Sequence, residues 1–256
     1  MSELPKRRRH RGIYLLPNLF TTAALFTGFY AIVAAVQDRY TVAAIAIFVA
    51  MVLDNLDGRI ARMTHTSSDF GAQYDSLADM VSFGIAPALL MFQWALSGMA
   101  DLGWVPAKLG WLAAFVYAAG AALRLARFNT QVGHADKRFF QGLPSPPAAA
   151  LMAGMVWAFH SLGISGEQVL WLAFLMTISA GGLMVSNVLY YSFKDIDFKG
   201  RVPFFVLLLV VLVVVFISID PPKTLFAAAF CYGASGPALM VWRRWQRMRR
   251  RGDSMS

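Results

Sequence analysis

Apolar residues in this chain come in long runs separated by short polar stretches, and the runs are about as long as the hydrocarbon core of a bilayer is thick. Eight of them, at 13–36, 41–63, 71–98, 106–129, 146–163, 168–191, 202–219 and 223–243, are candidate membrane-crossing helices, since about 17 to 25 mainly apolar residues suffice to span it. Inside a bilayer a helix satisfies its own backbone donors and acceptors, which an open strand cannot. Aromatic residues recur near the ends of the runs, among them Tyr14, Tyr40, Trp104, Trp171, Tyr190, Tyr191 and Trp242, as expected of rings that settle at headgroup level. The pattern predicts an all-α fold, a polytopic transmembrane helical bundle of about eight spans.

The polar stretches orient it. If the N-terminus faces the cytoplasm, twenty of the 23 Lys and Arg residues fall in segments on that side, leaving Arg39, Lys108 and Lys223 outside. Short cytoplasmic segments carry such an excess of positive charge, so both termini and any site between the inner loops are expected in the cytoplasm. Composition agrees with a membrane protein: 58% of residues are hydrophobic and 14% charged, and the mean hydropathy is +0.55, outside the range of ordinary soluble domains. The net charge of +9 and the runs "KRRRHR" and "RRWQRMRRR" are also a nucleic-acid footprint. Their position beside apolar spans favours anionic lipid headgroups instead, and no nucleic-acid partner is expected. The first apolar run is too long for a cleavable leader. The single cysteine, Cys231, excludes an internal disulfide and is expected to be a small buried residue. The chain divides into a basic cytoplasmic tail (1–12), a catalytic transmembrane core (13–191), additional transmembrane helices (192–243) and a second basic cytoplasmic tail (244–256).

Four carboxylates interrupt this apolar pattern. Asp54 and Asp57 fall near the inner end of the second run, Asp75 and Asp79 near the inner start of the third. Spacings of three and four put each pair on one helix face, and two antiparallel helices would aim all four at one volume. Carboxylates crowded in a poorly solvated place must be protonated, paired with cations or bound to metal. An all-oxygen set without His or Cys favours a hard divalent ion, Mg²⁺ or Mn²⁺, and four aspartates are enough for two ions. Gly58 and Gly71 would let a ligand approach the backbone, Arg62 is placed to meet a phosphate, and "THTSSD" supplies hydroxyls. Two alternatives are a helix-end charge network with Arg59 and Arg62, and an ion or proton pathway in a transporter.

Written out, the segment is Asp54-x2-Asp57-Gly58-x2-Ala61-Arg62-x8-Gly71-x3-Asp75-x3-Asp79. It resembles, at every spaced position, the signature of the CDP-alcohol phosphotransferase family of integral-membrane enzymes. The resemblance implies a six-helix core, a homodimer, a divalent-metal site at the cytoplasmic side, and transfer of the phosphate-bearing part of a CDP-linked donor to a hydroxyl with release of CMP. It implies further that Asp54, Asp57, Asp75 and Asp79 are metal ligands, that Asp79 is also the general base, and that Gly58, Arg62 and Ser68 contact the CDP group. "PNLFT", with Pro17, Asn18, Leu19 and Phe20, is similar to the family's nucleotide-side segment.

The acceptor is read elsewhere. "LRLARFN" at 123–129 and "FFQGLPSPPAAA" at 139–150 resemble the branch of the family that uses CDP-diacylglycerol as donor and L-serine as acceptor. Arg124 and Arg127, with Asn129 nearby, could hold the serine carboxylate. They could equally serve the positive-inside pattern or hold lipid phosphate, and an arginine site would also suit glycerol 3-phosphate. Gly142, Pro144, Pro146 and Pro147 are expected to form a rigid re-entry into the fifth span. No HExxH, nucleophile elbow or P-loop is present, so direct transfer without a covalent enzyme intermediate is expected.

Overall fold

A computed structural model describes residues 15–64, 68–131, 139–191 and 204–253. In chain order the helices are α1 (Leu15–Val36), α2 (Tyr40–Thr64), α3 (Asp69–Asp79), α4 (Ala86–Trp94), α5 (Trp104–Gln131), α6 (Ser145–Ser161), α7 (Leu170–Val185), α8 (Phe204–Ile219) and α9 (Pro221–Asp253). A π-helical turn, Met80–Ile85, fuses α3 to α4, so that Asp69–Trp94 forms one continuous span. Six helical segments among the described residues are long and apolar enough to cross a membrane: Asn18–Val36, Tyr40–Ile60, Asp69–Trp94, Trp104–Thr130, Gly166–Val185 and Pro221–Trp242. The protein is therefore a multi-pass, all-α membrane protein. The two other predicted spans are helices as well, α6 with 17 residues and α8 with 16 described residues, hence about 25 Å long at 1.5 Å per residue.

Small residues bring the helices close. Ala31, Ala34 and Ala35 of α1 meet Ala43, Ala44, Ile47 and Ala50 of α2, all without solvent exposure. Between lipid-soluble helices such close approach yields dispersion contacts that bulkier side chains would prevent. The α1–α2 connection is equally tight: Asp38 adopts a left-handed backbone (φ 58°), and Tyr40 Oη donates to Asp38 Oδ1 at 2.7 Å and to the Gln93 carbonyl at 3.2 Å. Glycines likewise bring α5 against α7. A Cβ on Gly120 would lie 2.6 Å from the Gly181 carbonyl oxygen, and one on Gly181 would lie 2.9 Å from Tyr117 Cα.

Several sequence expectations need correction. The run 168–191 does not stay helical to its end: α7 stops at Val185, Ser186 turns extended, and Leu189–Tyr191 forms strand β2, antiparallel to β1 (Phe139–Gln141). Short strands are not expected of an all-α chain, but pairing them satisfies backbone groups at a helix end that lacks them. Tyr190, expected at the headgroup level, is fully buried and donates to the Gly233 carbonyl at 3.0 Å, because the strand turns its ring inward. Trp104, Trp171 and Trp242 are exposed. Cys231 is exposed on α9, not buried. The same helix continues to Asp253, through most of the segment read as a basic tail.

The Gly120–Gly181 contact carries a prediction. Gly120→Val should destabilise the protein by about 1–3 kcal/mol or more, seen as a lower unfolding temperature in detergent. Gly182→Ala, one residue further along α7 where a Cβ meets nothing within 4 Å, should not lower it. Equal effects of the two would refute the close α5–α7 packing.

Candidate active site

One end of the bundle collects the polar residues. The C-terminal turns of α2, the first turns of α3, the end of α5, the start of α6 and the β1–β2 pair all meet there. Helix α3 begins cleanly because Ser68 caps it, its Oγ accepting the Gly71 N–H at 3.0 Å; such a cap contributes about 1 kcal/mol.

Asp54, Asp57 and Asp75 each offer an oxygen, and the three atoms lie within 4.8 Å of one another. Asp79, one turn beyond Asp75, meets the Asp54 carboxyl through a side-chain hydrogen bond. The four predicted aspartates thus share one volume. Asp57 is only 5% exposed, and Asp75 Oδ1 is buried without a hydrogen-bond partner. The one ion pair among the described residues, Lys223 with Asp220, lies at the start of α9, so no ion pair joins the aspartates to Arg59, while the Arg62 side chain of that alternative network lies outside the described part of the structure. At an effective dielectric of about 20, two charges 4.8 Å apart repel by ~3 kcal/mol. Three such pairs would consume much of a typical folding stability of about 5–15 kcal/mol. A divalent cation among the oxygens removes that cost and satisfies the orphaned Asp75 atom, so the residues present fit a hard metal ion.

Helix α1 forms a second wall. Thr21 Oγ1 donates to Asp57 Oδ2 at 2.8 Å, both residues being buried. One residue on, Thr22 Oγ1 donates to the Asn18 carbonyl at 2.7 Å and pairs with Tyr74 Oη at 2.9 Å. Asn18 also approaches the α3 cap: a Cβ on Gly71 would stand 3.2 Å from Ser68 Oγ and 3.5 Å from Asn18 Oδ1. The predicted nucleotide-side residues Asn18 and Ser68 thus both lie against Gly71. Leu19 points outward (66% exposed) and Phe20 is half-buried. Gly58 follows Asp57 on α2. The side chains of Pro17 and Arg62 lie outside the described part of the structure.

The third wall holds the predicted acceptor residues. Arg124 donates to Ser145 Oγ, the latter fully buried at the first residue of α6, and its charge acts on Asp79. Arg127 donates to Gln141 Oε1 and to Asn187 Oδ1, at 2.9 Å for the latter. Asn129 exchanges hydrogen bonds with Ser76, Nδ2 to Oγ at 3.0 Å and Oγ to Oδ1 at 3.3 Å, on the helix that carries Asp75 and Asp79. The expected rigid re-entry is present. Gly142 takes φ 78°, its N–H donates to the Val188 carbonyl at 2.8 Å, and Pro144 precedes an α6 that opens Ser145-Pro146-Pro147. A Cβ on Gly142 would lie 2.2 Å from the Met184 carbonyl oxygen.

A multi-pass bundle with a cluster of aspartates at one end and an arginine behind it defines a class, and the comparison with known sequences gives its name: the chain belongs to the CDP-alcohol phosphatidyltransferase family, whose family model matches residues 14–179. Among relatives, it is 36% identical to the CDP-diacylglycerol--serine O-phosphatidyltransferase of Helicobacter pylori, over 80% of this chain and 83% of that one. It is 34% identical to the protein of the same name from Mycobacterium tuberculosis, over 72% of this chain and 63% of the relative. For that of Methanocaldococcus jannaschii the identity is 32% over 72% and 78%.

Sequence reasoning leaves out Thr22, Tyr74, Ser76, Gln141, Ser145 and Asn187, which hold the predicted residues in place. Neutral polar residues near helix ends carry no pattern that separates them from ordinary caps; only the doublet Thr21-Thr22 after "PNLF" is a signal. The carboxylate trio predicts that Asp75→Asn abolishes stabilisation by added Mn²⁺ in thermal unfolding. Without metal, the variant should unfold at the same or a higher temperature than the parent, because one repelling charge is gone. A variant that kept the parent's Mn²⁺ response would remove Asp75 from the metal set.

Proposed function

We propose that the protein transfers the phosphatidyl group of CDP-diacylglycerol to the hydroxyl of L-serine, giving phosphatidylserine and CMP. The observation that carries this is the shared volume of Asp54, Asp57, Asp75 and Asp79, with Arg124 near enough for its charge to act on Asp79, in a chain whose relatives across bacteria and archaea bear that enzyme's name. Asp54, Asp57, Asp75 and Asp79 would hold Mg²⁺ or Mn²⁺, as two ions. Bound there, the metal would neutralise the diphosphate and the departing CMP.

The chain's own residues do the rest. Asp79 accepts the proton of the serine hydroxyl as its oxygen attacks the lipid-side phosphorus; the new P–O bond forms, the bond to CMP breaks, and CMP carries away the negative charge. Arg124 and Arg127 bind the serine carboxylate, Asn129 its remaining polar groups, and Ser145, Gln141 and Asn187 orient the two guanidinium groups without neutralising them. Gly58, Arg62 and Ser68 contact the CDP moiety, and the segment Pro17, Asn18, Leu19 and Phe20 lies on its nucleotide side. The excess of Lys and Arg in alternate connections supports a site and both termini in the cytoplasm, with anionic lipid at the basic segments. The family likeness supports a homodimer.

Purified protein with CDP-diacylglycerol and Mn²⁺ or Mg²⁺ should release CMP when offered L-serine, and not with glycerol 3-phosphate or myo-inositol. Release with another acceptor alone would overturn the serine assignment; no release with any would overturn the reaction. Asp79→Asn should lower turnover by roughly 10²–10⁴-fold, the usual worth of a general base, while CDP-diacylglycerol still binds.

A further inference from the structure

We propose that Tyr117 is a positioning residue for Asp79, acting through the π-helical turn that its hydroxyl holds open; this rests on the metal-site reading above. Asp79 is the last residue of α3, immediately before the turn Met80–Ile85. In an unbroken α-helix the carbonyl of Phe83 would accept the N–H of residue 87, but that residue is Pro87 and has none. The chain responds by widening. The Ala86 N–H reaches back five residues to the Val81 carbonyl, and Tyr117 Oη donates to the Phe83 carbonyl at 3.0 Å, both residues without solvent exposure.

The turn is held from the opposite side as well. Ser82 Oγ donates to the Ala24 carbonyl of α1 at 3.1 Å, and a Cβ on Gly28 would lie 2.2 Å from Ser82 Oγ and 2.8 Å from Ser82 Cα. Helix α1 therefore packs directly on the π-turn from one side while α5 bonds to it from the other.

One extra residue in a helix rotates the segment on its N-terminal side by about 100° relative to the segment on its C-terminal side. The C-terminal segment, α4, is fixed in the core through Leu90 and Met91, neither of them exposed. The π-turn thus sets the direction in which α3 presents Asp79 to the carboxylates of α2. Tyr117 and Arg124 stand seven residues apart on one face of α5, the first bonded to the turn after Asp79 and the second acting on Asp79 itself. Widened turns of this kind concentrate at functional sites, where a side chain must leave the register of its helix.

Tyr117→Phe deletes only the hydroxyl. The readouts are thermal unfolding across an Mn²⁺ titration, with no substrate present, and kcat and KM for CDP-diacylglycerol. Expected are a half-maximal Mn²⁺ concentration raised by roughly ten- to hundredfold, as for other residues that hold metal ligands in place, a lower kcat and an unchanged KM. An unchanged Mn²⁺ midpoint overturns the inference, including where the metal-free variant simply unfolds at lower temperature. If Tyr117→Phe yields no folded protein, Ser82→Ala, which releases the turn from α1, is read in the same way, and an unchanged midpoint there overturns it. A parent protein with no Mn²⁺ response at all overturns the metal-site reading and this inference with it; a responsive parent with an unaffected variant overturns this inference alone.

Discussion

The structure depends on keeping like charges together where they repel. Three carboxylate oxygens within 4.8 Å of one another, one on a residue only 5% exposed, form an arrangement that a soft scaffold would let drift apart. The scaffold is correspondingly stiff. Alanines close the α1–α2 seam, Thr21 of that seam is bonded directly to Asp57, and α3 is pinned at its first turn by Ser68. These devices act on both carboxylate-bearing helices, so the cluster is prepared by the bundle before any ion arrives. Preorganisation of this kind transfers the cost of assembling the charges to folding, where helix packing supplies the compensation.

The position of the cluster at helix ends comes from the same electrostatics. A charge at mid-bilayer costs several kcal/mol, and near the interface much less. Helix ends also expose backbone groups that need partners, and here those groups build the site's outer wall: Gly142 and Leu143 donate to the Val188 and Leu183 carbonyls, and β1 pairs with β2. A donor with a polar nucleotide and two acyl chains needs a boundary of this kind, wet on one side and apolar on the other. The exposed Leu19 beside the buried Thr21 shows the two environments within three residues of α1.

Much of this is legible in the sequence, and the reason is that lipid is a demanding solvent. The apolar runs have to be helices, and carboxylates within them have to have a purpose, so the eight runs and the four aspartates can be read directly. Register cannot be read in the same way. The end of α7 at Val185 and the burial of Tyr190 depend on a strand pair of three residues each, too short to leave an alternating pattern among equally apolar neighbours. The π-turn displaces the helix by one residue and leaves mean hydropathy unchanged; Pro87 is its only trace. The residues that orient Arg124 and Arg127 lie on α6, on β1 and in the segment after α7, and only the closed fold brings Ser145, Gln141 and Asn187 to them.

Those neutral partners bear on selectivity. Had Arg124 and Arg127 been matched with Asp or Glu, their charge would be neutralised internally and a substrate anion would have to compete for it. Hydroxyl and amide oxygens accept the guanidinium hydrogens and fix their direction without themselves neutralising the charge. Two arginines held this way would attract a doubly charged phosphate at least as strongly as a single carboxylate, so charge alone does not favour serine over glycerol 3-phosphate. The discrimination must come from geometry. Arg124 is tied to the buried first residue of α6, and Arg127 to β1 and the segment after α7. The guanidinium groups are thus anchored to separate elements, and neither can swing freely to follow a larger anion. On the proposed reading, a short acceptor whose carboxylate met this pair while its hydroxyl reached Asp79 would satisfy both ends, and a longer one would satisfy one end at the expense of the other.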